Sequence, residues 1–178
     1  MRFLATDALA RARRVRMVIF DVDGVLTDGR LWYGPRGEEL KAFHAFDGHG
    51  VKLLDIAGLK TGLISGRESA AVAERSRELG IEHVIQGADD KHAAFRSLLR
   101  RVKLKPEATA YMGDDVVDLA VLKRCGFACT PHEAPEEVRR SAHYIPTAAA
   151  GRGAAREVCE FILEAQGKLG TVLARFRR

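Results

Sequence analysis

The chain reads as an α/β protein, a doubly wound parallel sheet with helices on both faces, and three observations predict this. Short apolar runs of strand length alternate with segments of helical periodicity along most of the sequence. Acidic or hydroxyl residues stand directly after several of those runs, at Asp21, Ser65 and Asp114, where open α/β sheets carry their chemistry. With 178 residues, 47% of them apolar, there is material for one core.

Taken in order, Met1–Arg16 is Arg-rich with spaced apolar residues and is expected as a surface helix rather than a transit peptide. Met17–Phe20 is the first strand. Leu31–Tyr33 and Leu40–Phe43 flank Gly34-Pro35-Arg36-Gly37, a hairpin signal. Val51–Ala57 is helical, Thr61–Ile64 a strand, and Arg67–Leu79 a helix that stops at Gly80. Val84-Ile85 is a strand, Asp90–Val102 a helix, Ala108–Met112 a strand, Val116–Arg124 a helix, and Phe127–Cys129 a strand. Ala154–Gln166 is a closing helix. Residues 1–178 are expected as one domain, with a hairpin insert at about 30–43 and a tail from about 147 to 178.

Bulk properties exclude several classes. Charged residues make up 30% of the chain, and no apolar stretch reaches the roughly 18 residues of a membrane span. The three cysteines contain no C-x-x-C pair, so they are expected reduced and buried in a cytoplasmic protein. The formal charge of +5 is spread along the chain, apart from Arg11–Arg16 and Arg175–Arg178, and aromatics are 7%. That is not the stacking platform of a single-strand binder, so no nucleic-acid partner is expected.

Chemistry concentrates at four places. In Met17-Val-Ile-Phe-Asp-Val-Asp-Gly24, Asp21 and Asp23 stand two apart on an extended segment and face one spot. Packed carboxylates need a cation or a shared proton. Ser65-Gly66-Arg67 offers a hydroxyl and backbone N–H groups at a strand-to-helix turn, a place for an anion, and equally the place of a helix cap. Lys91 opens a helix against its dipole, which asks for a local electrostatic partner. Gly113-Asp114-Asp115, with Asp118 one turn on, gathers oxygen donors of the kind that suit Mg²⁺.

These four elements, in this order, resemble the motifs of the haloacid dehalogenase-like phosphatase superfamily. Gly37-Glu-Glu-Leu-Lys-Ala-Phe43, Asp47-Gly48, Gly151-Arg-Gly-Ala-Ala-Arg-Glu-Val-Cys159 and Ala165-Gln-Gly-Lys168 narrow the resemblance. It is to the capless family that hydrolyses 3-deoxy-D-manno-octulosonate 8-phosphate in lipopolysaccharide synthesis. Relatives of that family often carry Arg before the Asp-Gly, where this chain has Phe46.

The resemblance implies a fold without a large cap domain and a phosphomonoesterase that works through an aspartyl-phosphate. Asp21 is then the nucleophile and Asp23, held protonated, the general acid and base. Mg²⁺ is held by Asp21, the Asp23 backbone carbonyl and Asp114. Ser65, Gly66 and Lys91 bind the phosphoryl group. Arg67 and Arg152 are candidates for the substrate's carboxylate or phosphate, with Arg152 on a mobile arm. Asp115 orients Lys91 or a metal water, and Asp118 is a supporting or helix-start residue. The partners implied are a phosphorylated sugar acid and a homotetramer, in which each hairpin and tail closes a neighbour's site. Alternatives are a phosphatase for a nonulosonate 9-phosphate or another small sugar phosphate, and a catalytically silent regulatory tetramer.

Overall fold

A computed structural model describes residues 3–37 and 39–177. The parts of the expected N-terminal helix, hairpin and basic tail that fall on Met1, Arg2, Glu38 and Arg178 lie outside the described residues. In chain order the elements begin with β1 (Phe3–Leu4), α1 (Ala8–Arg13), β2 (Met17–Phe20), β3 (Trp32–Tyr33), β4 (Glu39–Leu40) and α2 (Ala45–Ile56). Then come β5 (Lys60–Ile64), α3 (Ala70–Leu79), β6 (His83–Ile85), α4 (Lys91–Val102) and β7 (Thr109–Met112). The chain continues through α5 (Leu119–Leu122), β8 (Phe127–Cys129), α6 (Glu136–Arg139), β9 (Tyr144–Ile145), α7 (Ala154–Ala165) and α8 (Leu169–Ala174).

The main sheet runs β1-β9-β8-β7-β2-β5-β6; β1 is antiparallel to β9 and every other pairing is parallel. β2 is central. The chain leaves it toward β5 and β6, then crosses to β7, β8 and β9 on its other side, so the order reverses between β2 and β7. Ligands of such sheets sit beyond the strands' carboxyl ends at that reversal.

Strand alternation sorts β2 between two cores. Val18 and Phe20 pack with Ala8, Val51, Leu54, Val158 and Phe161, under α1, α2 and α7. Met17 and Ile19 pack with Phe95, Leu98, Tyr111 and Val121, under α4 and α5. Both faces are covered, which is why the strand reads as an unbroken apolar run.

Several elements differ from expectation. The N-terminal segment is an edge strand and a six-residue helix rather than one continuous helix. α2 starts six residues before Val51, at Ala45, capped by His44 Nδ1 accepting from the Phe46 N–H at 3.2 Å. Gly48 and Gly50 weaken its helical signal, yet a Cβ on Gly50 would lie 3.0 Å from Arg156 Cα. Close packing against α7 therefore overrides propensity. The helix expected at Val116–Arg124 is a 3₁₀ turn, Val116–Asp118, followed by the four residues of α5. β9, α6 and α8 are too short to carry a period. The closing helix expected at Ala154–Gln166 forms as α7, and its Val158, Cys159, Ile162 and Leu163 are fully buried.

Candidate active site

Asp21, Ser65 and Gly113 follow β2, β5 and β7 directly, and their backbones extend the strand pairing. The Asp21 N–H donates to Met112 O at 2.9 Å, the Ser65 N–H to Ile85 O at 2.9 Å, and the Gly113 N–H to Cys129 O at 3.3 Å. Three loops thus start from one rigid edge. With Lys91, which opens α4 after β6, they bring Asp21, Asp23, Ser65, Gly66, Arg67, Asp114 and Asp115 around one hollow of about 300 Å³.

Two glycines make that approach possible. Gly24 has φ +80°, and a Cβ there would stand 2.1 Å from Asp114 Oδ2. A Cβ on Gly113 would stand 2.5 Å from Asp118 Cγ. Any side chain at either position would push an acid out of the cluster.

Lys91 has the partner its position asks for. Its Nζ lies 2.8 Å from Asp21 Oδ2 and 2.7 Å from Asp118 Oδ1, with all three side chains buried. Burial alone would lower the lysine's pKa, but the charges of Asp21 and Asp118 outweigh it and hold the ammonium above its usual range. Asp115, expected to orient Lys91 or a metal water, makes no contact with Lys91. Its exposed side chain caps the following turn by accepting from the Val116 N–H at 2.7 Å. Asp118 takes that place from within: Oδ1 accepts from Lys91 and from the Tyr111 hydroxyl at 2.6 Å, and Oδ2 accepts from the Asp114 and Asp115 N–H groups at 3.1 and 3.3 Å. It is fully buried and does not line the hollow.

The acids are electrostatically frustrated. Burial, then the charge of Asp118, pushes Asp21 up to about 6. Burial, then the charges of Asp21 and Asp118, pushes Asp114 up to about 8. The Asp114 side chain has no ion-pair partner among the described residues. Carboxylate oxygens of Asp21, Asp114 and Asp118 lie within 4.8 Å of one another. An all-oxygen set with an unneutralised acid fits a hard divalent cation. Since Asp118 is already saturated, Asp21 and Asp114 are the side chains able to hold one.

Lys41 was not singled out by the sequence. Its Nζ sits 2.5 Å from Asp23 Oδ1 and 2.7 Å from Glu39 Oε1, with its side chain 1% exposed. Glu39 and Lys41 are two apart on an extended strand and share a face, which was the available signal. Arg67 Nη1 donates to the Tyr33 hydroxyl at 3.1 Å. Through these contacts the hairpin docks on the hollow of its own chain.

Ser65 Oγ accepts from the Arg67 N–H at 3.3 Å, a turn bond rather than a helix cap; α3 is preceded by Ser69. Arg152 is not in the same hollow. It lines an adjoining one of about 560 Å³ with Gly24, Arg30, Asp114, Asp115 and Glu133. The loop that carries it is tied down: the Gly151 N–H donates to Val25 O at 3.1 Å and the Gly153 N–H to Asp47 Oδ2 at 3.1 Å. Asp47, whose Oδ1 also accepts from the Arg156 N–H at 2.9 Å, anchors the start of α7. His44 and His49 pack edge-on against Phe46 and Phe176 and do not line the hollow.

Residues 70–158 match the family model of haloacid dehalogenase-like hydrolases. A 3-deoxy-D-manno-octulosonate 8-phosphate phosphatase from Escherichia coli (strain K12) is 41% identical over 166 residues, covering 93% of this chain and 88% of that protein. The crystal structure of a probable phosphatase of the yrbi family from Pseudomonas syringae superposes with a TM-score of 0.95 at 44% identity, over 98% of this chain and 99% of that one. The 3-deoxy-D-manno-octulosonate 8-phosphate phosphatase from Moraxella catarrhalis, solved in complex with magnesium ion, phosphate ion and KDO, superposes with a TM-score of 0.93 at 39% identity, over 96% and 98%. The motifs, the hollow and these likenesses agree: the chain belongs to the haloacid dehalogenase-like hydrolases, in the family of the 3-deoxy-D-manno-octulosonate 8-phosphate phosphatases.

Proposed function

We propose that this chain releases inorganic phosphate from 3-deoxy-D-manno-octulosonate 8-phosphate with Mg²⁺, a step of lipopolysaccharide sugar synthesis. One observation carries the reading. Asp21, Asp23, Ser65, Lys91 and Asp114, drawn from four separate stretches of sequence, line a single hollow at the reversal of the sheet.

Asp21 attacks phosphorus in line. A bond forms between its carboxylate oxygen and phosphorus while the bond to the sugar oxygen breaks, which splits one hard displacement into two easier ones. Asp23 gives a proton to the leaving sugar oxygen, then takes one from the water that hydrolyses the aspartyl-phosphate. The Ser65 hydroxyl, the N–H groups of Gly66 and Arg67, and the Lys91 ammonium hold the phosphoryl oxygens as charge moves across them. Asp118 and Tyr111 keep Lys91 in place from beneath. Asp21 and Asp114 would hold the Mg²⁺, which would supply the positive charge that lets an anionic nucleophile meet an anionic ester. This reading assigns Arg67 and Arg152, which line the two adjoining hollows, to the substrate's carboxylate or phosphate.

The chain works as a homotetramer in the cytoplasm in this reading. Trp32, Tyr33 and Leu40 of the hairpin are 56%, 60% and 61% exposed, an apolar face that a second copy would cover. The three cysteines are free and buried, as suits a reducing compartment. Among the described residues no helix is long and apolar enough to cross a membrane.

Phosphate release would be measured with Mg²⁺ from 3-deoxy-D-manno-octulosonate 8-phosphate, a nonulosonate 9-phosphate and p-nitrophenyl phosphate, with an EDTA control and Asp21→Asn. Preference for the octulosonate, lost with Asp21→Asn and with EDTA, is expected. Better turnover of the nonulosonate would move the substrate, and substantial activity of a folded Asp21→Asn would remove the nucleophile. Light scattering on the eluted protein tests the tetramer.

A further inference from the structure

At the opposite end of the sheet, below the amino ends of β2 and β5, a further recess of about 370 Å³ is lined by Arg13, Arg14, Arg16, Lys60 and Lys168 and, among the described residues, by no acidic side chain. Its walls are tied together. Gln166 Nε2 donates to Ala12 O and Val15 O at 3.2 and 2.8 Å, Lys168 Nζ to Ala57 O at 3.2 Å, and Arg13 Nε to Ala165 O at 3.2 Å. Arg16 and Lys60 are joined through their backbones, with the Lys60 N–H donating to Arg16 O at 3.0 Å. Three segments far apart in sequence therefore meet in a fixed relation, and two of the five cations are engaged with carbonyl groups.

Arg14, Arg16 and Lys60 remain, with no ion-pair partner among the described residues. Like charges held on one concave surface repel one another and gain when an anion enters between them. Guanidinium forks suit the oxygens of phosphate in particular. We propose that this recess binds a small anion carrying two or more phosphate groups. Three uncommitted cations exceed what a single phosphate neutralises, and the recess is of small-molecule size. Among the described residues no aromatic side chain lines it for base stacking, which disfavours single-stranded nucleic acid. Arg16 and Asp21 stand five residue steps apart along β2, about 17 Å at ~3.3 Å per step, so the anion and the phosphate ester occupy different sites.

The test is calorimetric titration of the full chain with tripolyphosphate in Mg²⁺-free buffer, against three variants. Arg14→Gln/Arg16→Gln/Lys60→Gln is expected to weaken binding about tenfold or more, while it keeps phosphatase turnover, which reports that it is folded. Lys91→Met, which disables the catalytic hollow, is expected to leave this binding in place. Arg96→Gln/Arg100→Gln/Arg101→Gln removes the same charge from α4 and is expected to have little effect. The proposal is overturned if the triple change in the recess leaves affinity unchanged, if Lys91→Met abolishes binding, or if the α4 control weakens it equally. An oligonucleotide that binds through the same three residues more tightly than tripolyphosphate would overturn the small-molecule assignment.

Discussion

Lys41 Nζ stands 2.5 Å from Asp23 Oδ1, so a hairpin residue closes on the group assigned as general acid and base. The pair ties the hairpin's position to the reacting centre. Lys41→Met should cut turnover about tenfold, in line with a lost hydrogen bond from a charged donor. It should also speed proteolytic nicking at Gly34–Gly37. Unchanged nicking together with unchanged turnover would reduce the contact to a surface ion pair.

Asp118 supports Lys91 with its full complement of hydrogen bonds, and Tyr111 contributes one of them. Breaking a buried ion pair costs about 3–5 kcal/mol, whereas deleting one hydroxyl costs about 1–2 kcal/mol. Asp118→Asn should therefore lower kcat/KM about a hundredfold or more, and Tyr111→Phe no more than about tenfold. Equal losses in steady-state assays would contradict the ranking.

Asp114 carries a folded-state pKa of about 8 against an ordinary value of 3.8, through burial and the charges of Asp21 and Asp118. A raised carboxyl favours the protonated native state, so its contribution falls as pH climbs from about 4 to 8. Without Mg²⁺ at pH 8, Asp114→Asn should raise Tm by about 2–4 °C, the shift that roughly 1 kcal/mol gives a chain of this size. The same change should remove the rise in Tm that Mg²⁺ produces in the parent protein by binding the native state. Differential scanning calorimetry with and without Mg²⁺ reads both effects.

Glu157, in the first turn of α7, has the opposite sign. Burial pushes its carboxyl up, but donors from the Ala148 N–H, the Tyr144 hydroxyl and Thr147 outweigh it and leave it below the usual glutamate range. A depressed carboxyl stabilises the fold above its unfolded pKa and loses that stability as pH falls through the folded value. Stability should drop below about pH 4.5, and Glu157→Gln should flatten that limb while lowering stability at pH 7. Urea melts from pH 3 to 7 would show it; parallel curves for the two proteins would not fit.

Much of the site was legible because its residues follow strands. The ends of Met17–Phe20, Thr61–Ile64 and Ala108–Met112 were readable from apolar runs, and a parallel sheet places such ends along one edge. What lay beneath the hollow was not legible. Asp118 reads like Asp115 in a run of acids, and only burial against Tyr111 and Lys91 separates them. Lys41 sits in a hairpin whose short strands carry no strong period, and its partner is 18 residues away. The start of α2 was hidden because Gly48 and Gly50 lower local helicity for the sake of contacts made at a distance.

Local pattern and motif order thus determined the layered α/β fold, the acids that line the hollow and their fit to a hard cation, since each acid stands beside its own strand in sequence. Tertiary structure decided which acid supports Lys91, where the hairpin docks, that α7 is part of the core, and that Arg14, Arg16 and Lys60 gather at the far end of the sheet. Those outcomes depend on long-range packing and on the mutual burial of charges, energies that no window of sequence contains.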